Sequence, residues 1–136
     1  MEKKIIIWVG CLLKNSEGKY LLLKRSANSS WGAGKWQLPG GKMEWGETVM
    51  DTLHREIKEE TGGGVLNPLL LEIYTDQITA KECEFHAVQV VYSGSYTGER
   101  VDICKDHDVY EWMNLDEAVN ADLVDGLSDF IKNHIK

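Results

Sequence analysis

Apolar residues occupy both faces of the segment from Lys4 to Leu13, the pattern of a strand covered on two sides. Asn15-Ser16-Glu17-Gly18 predicts a turn, and Tyr20 to Lys24 a second strand. Ser26 to Lys35 is small and polar around Trp31 and reads as a loop. Leu38-Pro39-Gly40-Gly41 is expected to interrupt any regular element. From Glu47 to Thr61 the apolar residues Val49, Met50, Leu53 and Ile57 recur at helical spacing, and Gly62-Gly63-Gly64 ends the helix. Leu69 to Thr79 and Glu84 to Tyr92 read as long strands. The second points Phe85, Ala87, Gln89 and Val91 one way and His86, Val88, Val90 and Tyr92 the other. Gly98 to Cys104 and Val109 to Met113 read as short strands. Leu123, Leu127, Phe130 and Ile131 form one stripe of a C-terminal helix. This order predicts an α/β fold, a mixed sheet sandwiched between helices. No repeat or linker-like stretch divides the chain, so residues 1–136 are expected to form one domain.

Composition narrows the function classes. With 136 residues, 43% hydrophobic and 27% charged, the chain can bury one real core. No apolar run approaches the roughly 20 residues that cross a bilayer, so no membrane association is expected. The N-terminal apolar run lacks the length and cleavage site of a signal peptide and reads as a first strand. Cys11, Cys83 and Cys104 are odd in number and show no CxxC spacing, which suits a reducing compartment and makes the cytoplasm the expected location. A formal charge of −7 argues against binding nucleic-acid polymers. It does not argue against nucleotides, because a divalent cation reconciles an acidic site with an anionic substrate.

The helix from Glu47 carries such an acidic cluster. Glu56, Glu59 and Glu60 fall on one arc, three and four residues apart. Like charges at that spacing repel by about 0.2–0.5 kcal/mol per pair. The dipole at the helix end adds about 0.3–1 kcal/mol against each. Glu60 also falls within the apolar stripe and is expected to be partly buried. The cluster alone fits either a solvated face or a set of oxygen ligands for a hard cation. The preceding Pro39-Gly40-Gly41 fits either a plain turn or a stiff loop that aims backbone groups at a metal or phosphate.

Together these pieces resemble a known pattern. Gly41, five residues, Glu47, seven residues, then Arg55-Glu56-Ile57-Lys58-Glu59-Glu60-Thr61-Gly62 is similar to the Nudix box, GX5EX7REUXEEXGU with U a bulky apolar residue. Every fixed polar and glycine position agrees, and Trp36-Gln37-Leu38-Pro39-Gly40 resembles the usual approach to the box. Gly63 departs from it, standing where the family prefers an apolar residue. The resemblance implies an α/β/α sandwich and a hydrolase that cleaves the pyrophosphate linkage of a nucleoside diphosphate bearing another group. It implies two or three Mg²⁺ ions, with Mn²⁺ as a substitute. Glu59 and Glu60 match metal ligands, Glu56 a third ligand or general base, and Gly40 a backbone-carbonyl ligand. Arg55 matches a residue that orients the carboxylates, and Glu47 a supporting acid. A further acidic ligand is expected after the box; of Asp102, Asp106, Asp108 and Glu111, Asp106 stands where the nucleotide-pool sanitising branch carries one.

The substrate is less constrained. Asp76-Gln77-Ile78-Thr79-Ala80 holds no proline of the kind found in members that cut ADP-ribose, and no tyrosine follows where members acting on diadenosine polyphosphates carry one. Glu111-Trp112-Met113-Asn114-Leu115 resembles the sanitising branch, which converts (deoxy)nucleoside triphosphates to monophosphates and pyrophosphate. Hydrolysis of ADP-ribose, NADH or another dinucleotide, and a silent nucleotide sensor, are the alternatives. Arg25 could meet a phosphate or sugar or form a surface salt bridge, Trp31 could stack on a base, and Gly41 could bring its backbone to the substrate. Trp36 and Trp112 read as packing, and His54, His86, His107 and His134 as incidental. A homodimer is compatible with the sequence but not derivable from it. A site of carboxylates without histidine or cysteine needs a metal to activate water. Hydrolysis is therefore expected to stop in excess chelator, and undiminished turnover there would refute a metal requirement.

Overall fold

In the computed structural model, residues 1–103 and 107–134 are described, with Asp108 by its backbone alone. The described elements are β1 (Glu2–Lys14), β2 (Tyr20–Arg25), β3 (Trp36–Gln37), β4 (Gly40–Lys42), α1 (Val49–Thr61), β5 (Val65–Ala80), β6 (Cys83–Tyr96), β7 (His107–Met113), α2 (Leu115–Asn120) and α3 (Leu127–His134). The sheet runs β3-β2-β1-β6-β5, with β4 on β1 and β7 on β2. β1 and β6 pair in parallel along the whole of β1, while the other pairs are antiparallel, so the sheet is mixed as expected.

Alternation along the strands builds two cores. Val9, Cys11, Leu13, Leu21, Leu23 and Val90 face α1, where Leu53 and Ile57 are fully buried. Leu12, Leu22 and Val91 face α2 and α3, against Ala118, Leu127, Phe130 and Ile131. Burying a Leu or Ile side chain contributes about 1.5–3 kcal/mol. The amphipathic stripe of α1 and the two-faced apolar run of β1 thus produce the α/β/α sandwich. Cys11 lies inside it, and burial pushes its thiol up to about 12.

Three expectations need correction. Gly98 to Ile103 is not a strand, and Cys104 lies outside the described residues. β6 is already paired on both edges, by β1 and β5, so this segment has no free neighbour there. It wraps the end of α1 instead, with the Asp102 N–H donating to the Thr61 carbonyl at 2.8 Å. Leu38-Pro39-Gly40-Gly41 does not simply interrupt structure. Leu38-Pro39 steps from the edge of β2, which holds β3, to that of β1, which holds β4, and the Pro39 carbonyl accepts from Cys11 N–H at 3.0 Å. Leu123 stands ahead of α3 and bridges to Trp36.

The first helix starts at Val49, two residues later than expected, because Thr48 caps it. The Thr48 hydroxyl accepts from Asp51 N–H, and the Asp51 carboxylate accepts from Thr48 N–H, both at 3.1 Å. At the other end Gly62 takes φ +80°, a left-handed conformation suited to glycine, and donates its N–H to the Lys58 carbonyl. No helix among the described residues is long and apolar enough to cross a membrane. Thr48→Ala is expected to lower stability by about 1 kcal/mol. A denaturant titration checks this: the midpoint should fall while the slope stays the same.

Candidate active site

The carboxylates of α1 are held by one guanidinium. Arg55 donates from Nε and Nη2 to the two oxygens of Glu47, at 2.6 and 3.0 Å. Its Nη1 donates to Glu56 at 2.7 Å and to Glu59 at 3.3 Å, and Nη2 also reaches the Lys42 carbonyl at 3.0 Å. A fourth carboxylate, that of Glu44, stands 3.7 Å from Nη1, so the i, i+4 contact with Glu59 is the longest of the three carboxylate hydrogen bonds. Glu47, just before the helix, further accepts from Glu44 N–H and Thr52 hydroxyl. Hydrogen bonds from Arg55, then from the Glu44 backbone, bring its carboxyl down to about 2. Burial raises the Glu56 carboxyl above its ordinary value while Arg55 pulls it back.

Glu60 is buried, 7% exposed, as its place in the apolar stripe foretold. Its Oε1 accepts the Gly40 N–H at 2.6 Å. A side chain at Gly40 would collide with the Val9 carbonyl and Gly10 Cα, and one at Gly41 would overlap the Glu56 carboxylate. Both glycines are needed for the loop to lie this close to β1 and the helix. At Gly63, the odd position of the box, the Tyr96 ring fills the space a side chain would take. The Tyr96 hydroxyl lies 3.1 Å from the Thr61 carbonyl and 2.7 Å from that of Arg100.

Gly40, Gly41, Glu56 and Glu60 line one cavity of about 380 Å³, together with Arg25, Gln37 and His107. Glu59 does not line it and is largely exposed, with 58% of its side chain accessible. Among the described residues no three acidic, histidine or cysteine side chains converge as a closed cation cage. The donors nevertheless are all hard oxygens, and Glu56 and Glu60 are carboxylates facing a common space. That donor set fits a hard divalent cation. Asp106, the further acid expected, lies outside the described residues, while Asp102 is exposed and paired with Arg100 at 3.3 Å.

A second cavity of about 230 Å³ adjoins the first through Trp8, Arg25, Ser30 and Gln37. Trp31, Tyr74 and Phe85 give it aromatic walls, and Asp76, Gln89 and Asp125 give it polar ones. Arg25 lies at the junction, as a residue at the end of β2. Its Nε donates to the Trp31 carbonyl at 2.7 Å, its Nη1 to Gln37 at 3.1 Å, and its guanidinium sits 5.1 Å from the Trp31 ring centre.

One residue set aside as incidental is not. His107 is buried, with Nδ1 3.7 Å from Glu60 Oε2 and Nε2 2.9 Å from the Gln37 amide nitrogen. No ligand spacing could flag a lone histidine. The available signal was Glu60 itself, since a buried carboxylate needs polar partners.

A model of the NUDIX domain matches residues 6–134, nearly the whole chain. The chain belongs to the Nudix family. It is 30% identical to the nucleoside triphosphatase NudI of Escherichia coli, over 90% of each chain. It is 36% identical to the uncharacterized Nudix hydrolase YvcI of Bacillus subtilis, over 79% of this chain and 69% of that one. Among solved structures it resembles a MutT protein from Methanosarcina mazei, with TM-score 0.79 and 32% identity over 98% of this chain and 94% of that one. As a Nudix hydrolase it acts on pyrophosphate bonds of nucleotides.

Glu47 offers a test of the guanidinium network. Its carboxyl is depressed from 4.5 to about 2 in the fold, so the pair stabilises above about pH 4.5 and is lost as pH falls towards 2. Glu47→Gln is expected to melt below the parent at pH 7, with the gap narrowing at pH 3. An equal gap at both pH values would show that charge plays no part.

Proposed function

We propose that this Nudix hydrolase converts a (deoxy)nucleoside triphosphate and water to the monophosphate and pyrophosphate. One observation carries the reading: a carboxylate-lined cavity adjoins an aromatic-walled one, with Arg25 and Gln37 lining both. Anionic phosphates and an apolar, hydrogen-bonding nucleobase need these two environments side by side. The likeness to a nucleoside triphosphatase supports the same substrate class.

Glu56, Glu59 and Glu60, with the Gly40 carbonyl, would hold Mg²⁺, or Mn²⁺ in its place, and Asp106 is the further acid proposed to join them. When bound, the metal supplies charge neutralisation of the phosphates and lowers the pKa of water. The chain's own residues do the rest. Glu56, whose carboxyl burial makes more basic, accepts the proton of the attacking water. Arg55 holds Glu56 and Glu59 in place from the outer side, and Glu47 holds Arg55. Arg25 meets the phosphate or sugar between the cavities, Trp31 offers its ring to the base, and the lack of a side chain at Gly41 keeps the approach to Glu56 open.

A panel of nucleotides incubated with Mg²⁺, its products separated by chromatography, tests the reading. Pyrophosphate and monophosphate from triphosphates are expected to dominate. Preferential formation of AMP and ribose phosphate from ADP-ribose would overturn it in favour of a dinucleotide hydrolase, and no turnover of any member would indicate a sensor.

A further inference from the structure

We infer that His107 is a positioning residue for Glu60, and that Gln37 links it to Arg25 at the mouth of the aromatic cavity. The direction of every link follows from what each group is able to do. Arginine only donates, so the Gln37 oxygen, 3.1 Å from Arg25 Nη1, must be its acceptor. The Gln37 amide nitrogen therefore faces His107, and it too only donates. At 2.9 Å the His107 Nε2 must accept, which leaves the ring proton of neutral His107 on Nδ1. Nδ1 is the nitrogen on the Glu60 side, 3.7 Å from Oε2. That distance exceeds a hydrogen bond, so the N–H acts on the carboxylate as a nearby oriented dipole.

Glu60 thus lies between two donors of different kinds. The Gly40 backbone N–H holds Oε1, and His107 Nδ1–H presents to Oε2. Fixing Glu60 in this way spares a bound metal the cost of ordering the side chain. The linkage also joins a residue of the substrate cavity, Arg25, by hydrogen bonds through Gln37 to the ring that stands 3.7 Å from a proposed metal-site carboxylate. His107 does not touch substrate; it acts through Glu60. The inference rests on the proposed role of Glu60 as a metal ligand.

The test is Mn²⁺ binding to the full chain without nucleotide, followed by the paramagnetic resonance of the free ion, with thermal melting in metal-free buffer as the control for folding. His107→Phe keeps a ring of similar volume and removes both nitrogens. It is expected to weaken Mn²⁺ binding about tenfold, as loss of a partner to a metal ligand does. His107→Asn places an amide nitrogen near the position of Nδ1 and is expected to recover most of that loss. In turnover His107→Phe should alter kcat more than KM, and His107→Asn should restore most of kcat. Unchanged binding by His107→Phe overturns the inference, as does an Asn variant as weak as the Phe one, which would mean that His107 only fills space. If His107→Phe does not fold, Gln37→Met decides: weakened Mn²⁺ binding supports the linkage and parental binding overturns it. A parent that fails to bind Mn²⁺ overturns the proposed metal site itself and the inference with it, whereas a binding parent with indifferent variants overturns the inference alone.

Discussion

A carboxylate buried in the last turn of α1 must find donors, and that demand organises the surrounding chain. Leaving a buried charge without partners costs several kcal/mol. One donor to Glu60 is a backbone N–H, that of Gly40, and a backbone group cannot swing out on a side chain to meet its partner. The loop itself has to arrive. It does so because Leu38-Pro39 steps the chain from the edge of β2 to the edge of β1, and because Gly40 carries no side chain to strike Val9 and Gly10. The 2.6 Å contact therefore fixes the loop and the helix to each other as one unit.

The remaining charges on α1 are handled differently. Three glutamates near the end of a helix repel one another and the helix dipole. Arg55 offsets this by binding Glu56 and Glu59 on one side while gripping Glu47 with a two-pronged contact on the other. Glu47 lies before the helix, so it draws the guanidinium back towards the N-terminal turn and away from the cavity. Glu56 is left partly desolvated, with a raised carboxyl, facing the space that Gly41 keeps open.

How much of this was legible depended on whether the cause was local. The stripe of Val49, Leu53 and Ile57 announced α1, the two-faced run in β1 announced a covered strand, and the angular position of Glu60 announced its burial. Spacing put Glu56, Glu59 and Glu60 on one arc of the helix; Glu56 and Glu60 line a common cavity, while Glu59 does not. Gly98 to Ile103 misled because alternation describes a segment, while a strand also requires a free neighbouring edge. The short β3 and β4 escaped because two or three residues carry no period; only their partners define them. α2, six residues behind the Asn114 cap, is too short for its own stripe to stand out. His107 escaped for the strongest reason. Its significance lies in Gln37 and Glu60, respectively 70 and 47 positions away in sequence, and no pattern in one chain reports a contact of that range.

The two cavities lie on different parts of the sandwich, and this separation has a chemical consequence. The carboxylates sit on α1 and are met by β4, on one face of the sheet. Trp8, Tyr74, Asp76, Ala87 and Gln89 project from β1, β5 and β6 towards the other face, where Val124 and Leu127 close the wall. Asp76, whose carboxyl burial raises above its ordinary value, is hydrogen-bonded to Gln89 with Asp125 nearby, so this wall offers carboxylate acceptors to whatever enters. On the proposed reading, the bond to be broken is presented by α1 and its loop, and the nucleoside is read by β5, β6 and the start of α3. Among the described residues, only Trp8, Arg25, Ser30 and Gln37 line both spaces. On that reading, a substitution in the far wall would change which nucleoside fits while leaving the contacts of Glu56 and Glu60 in place. One fold with an unaltered box can in this way serve different nucleotides, since the residues that choose the substrate and those that attack it share so few neighbours.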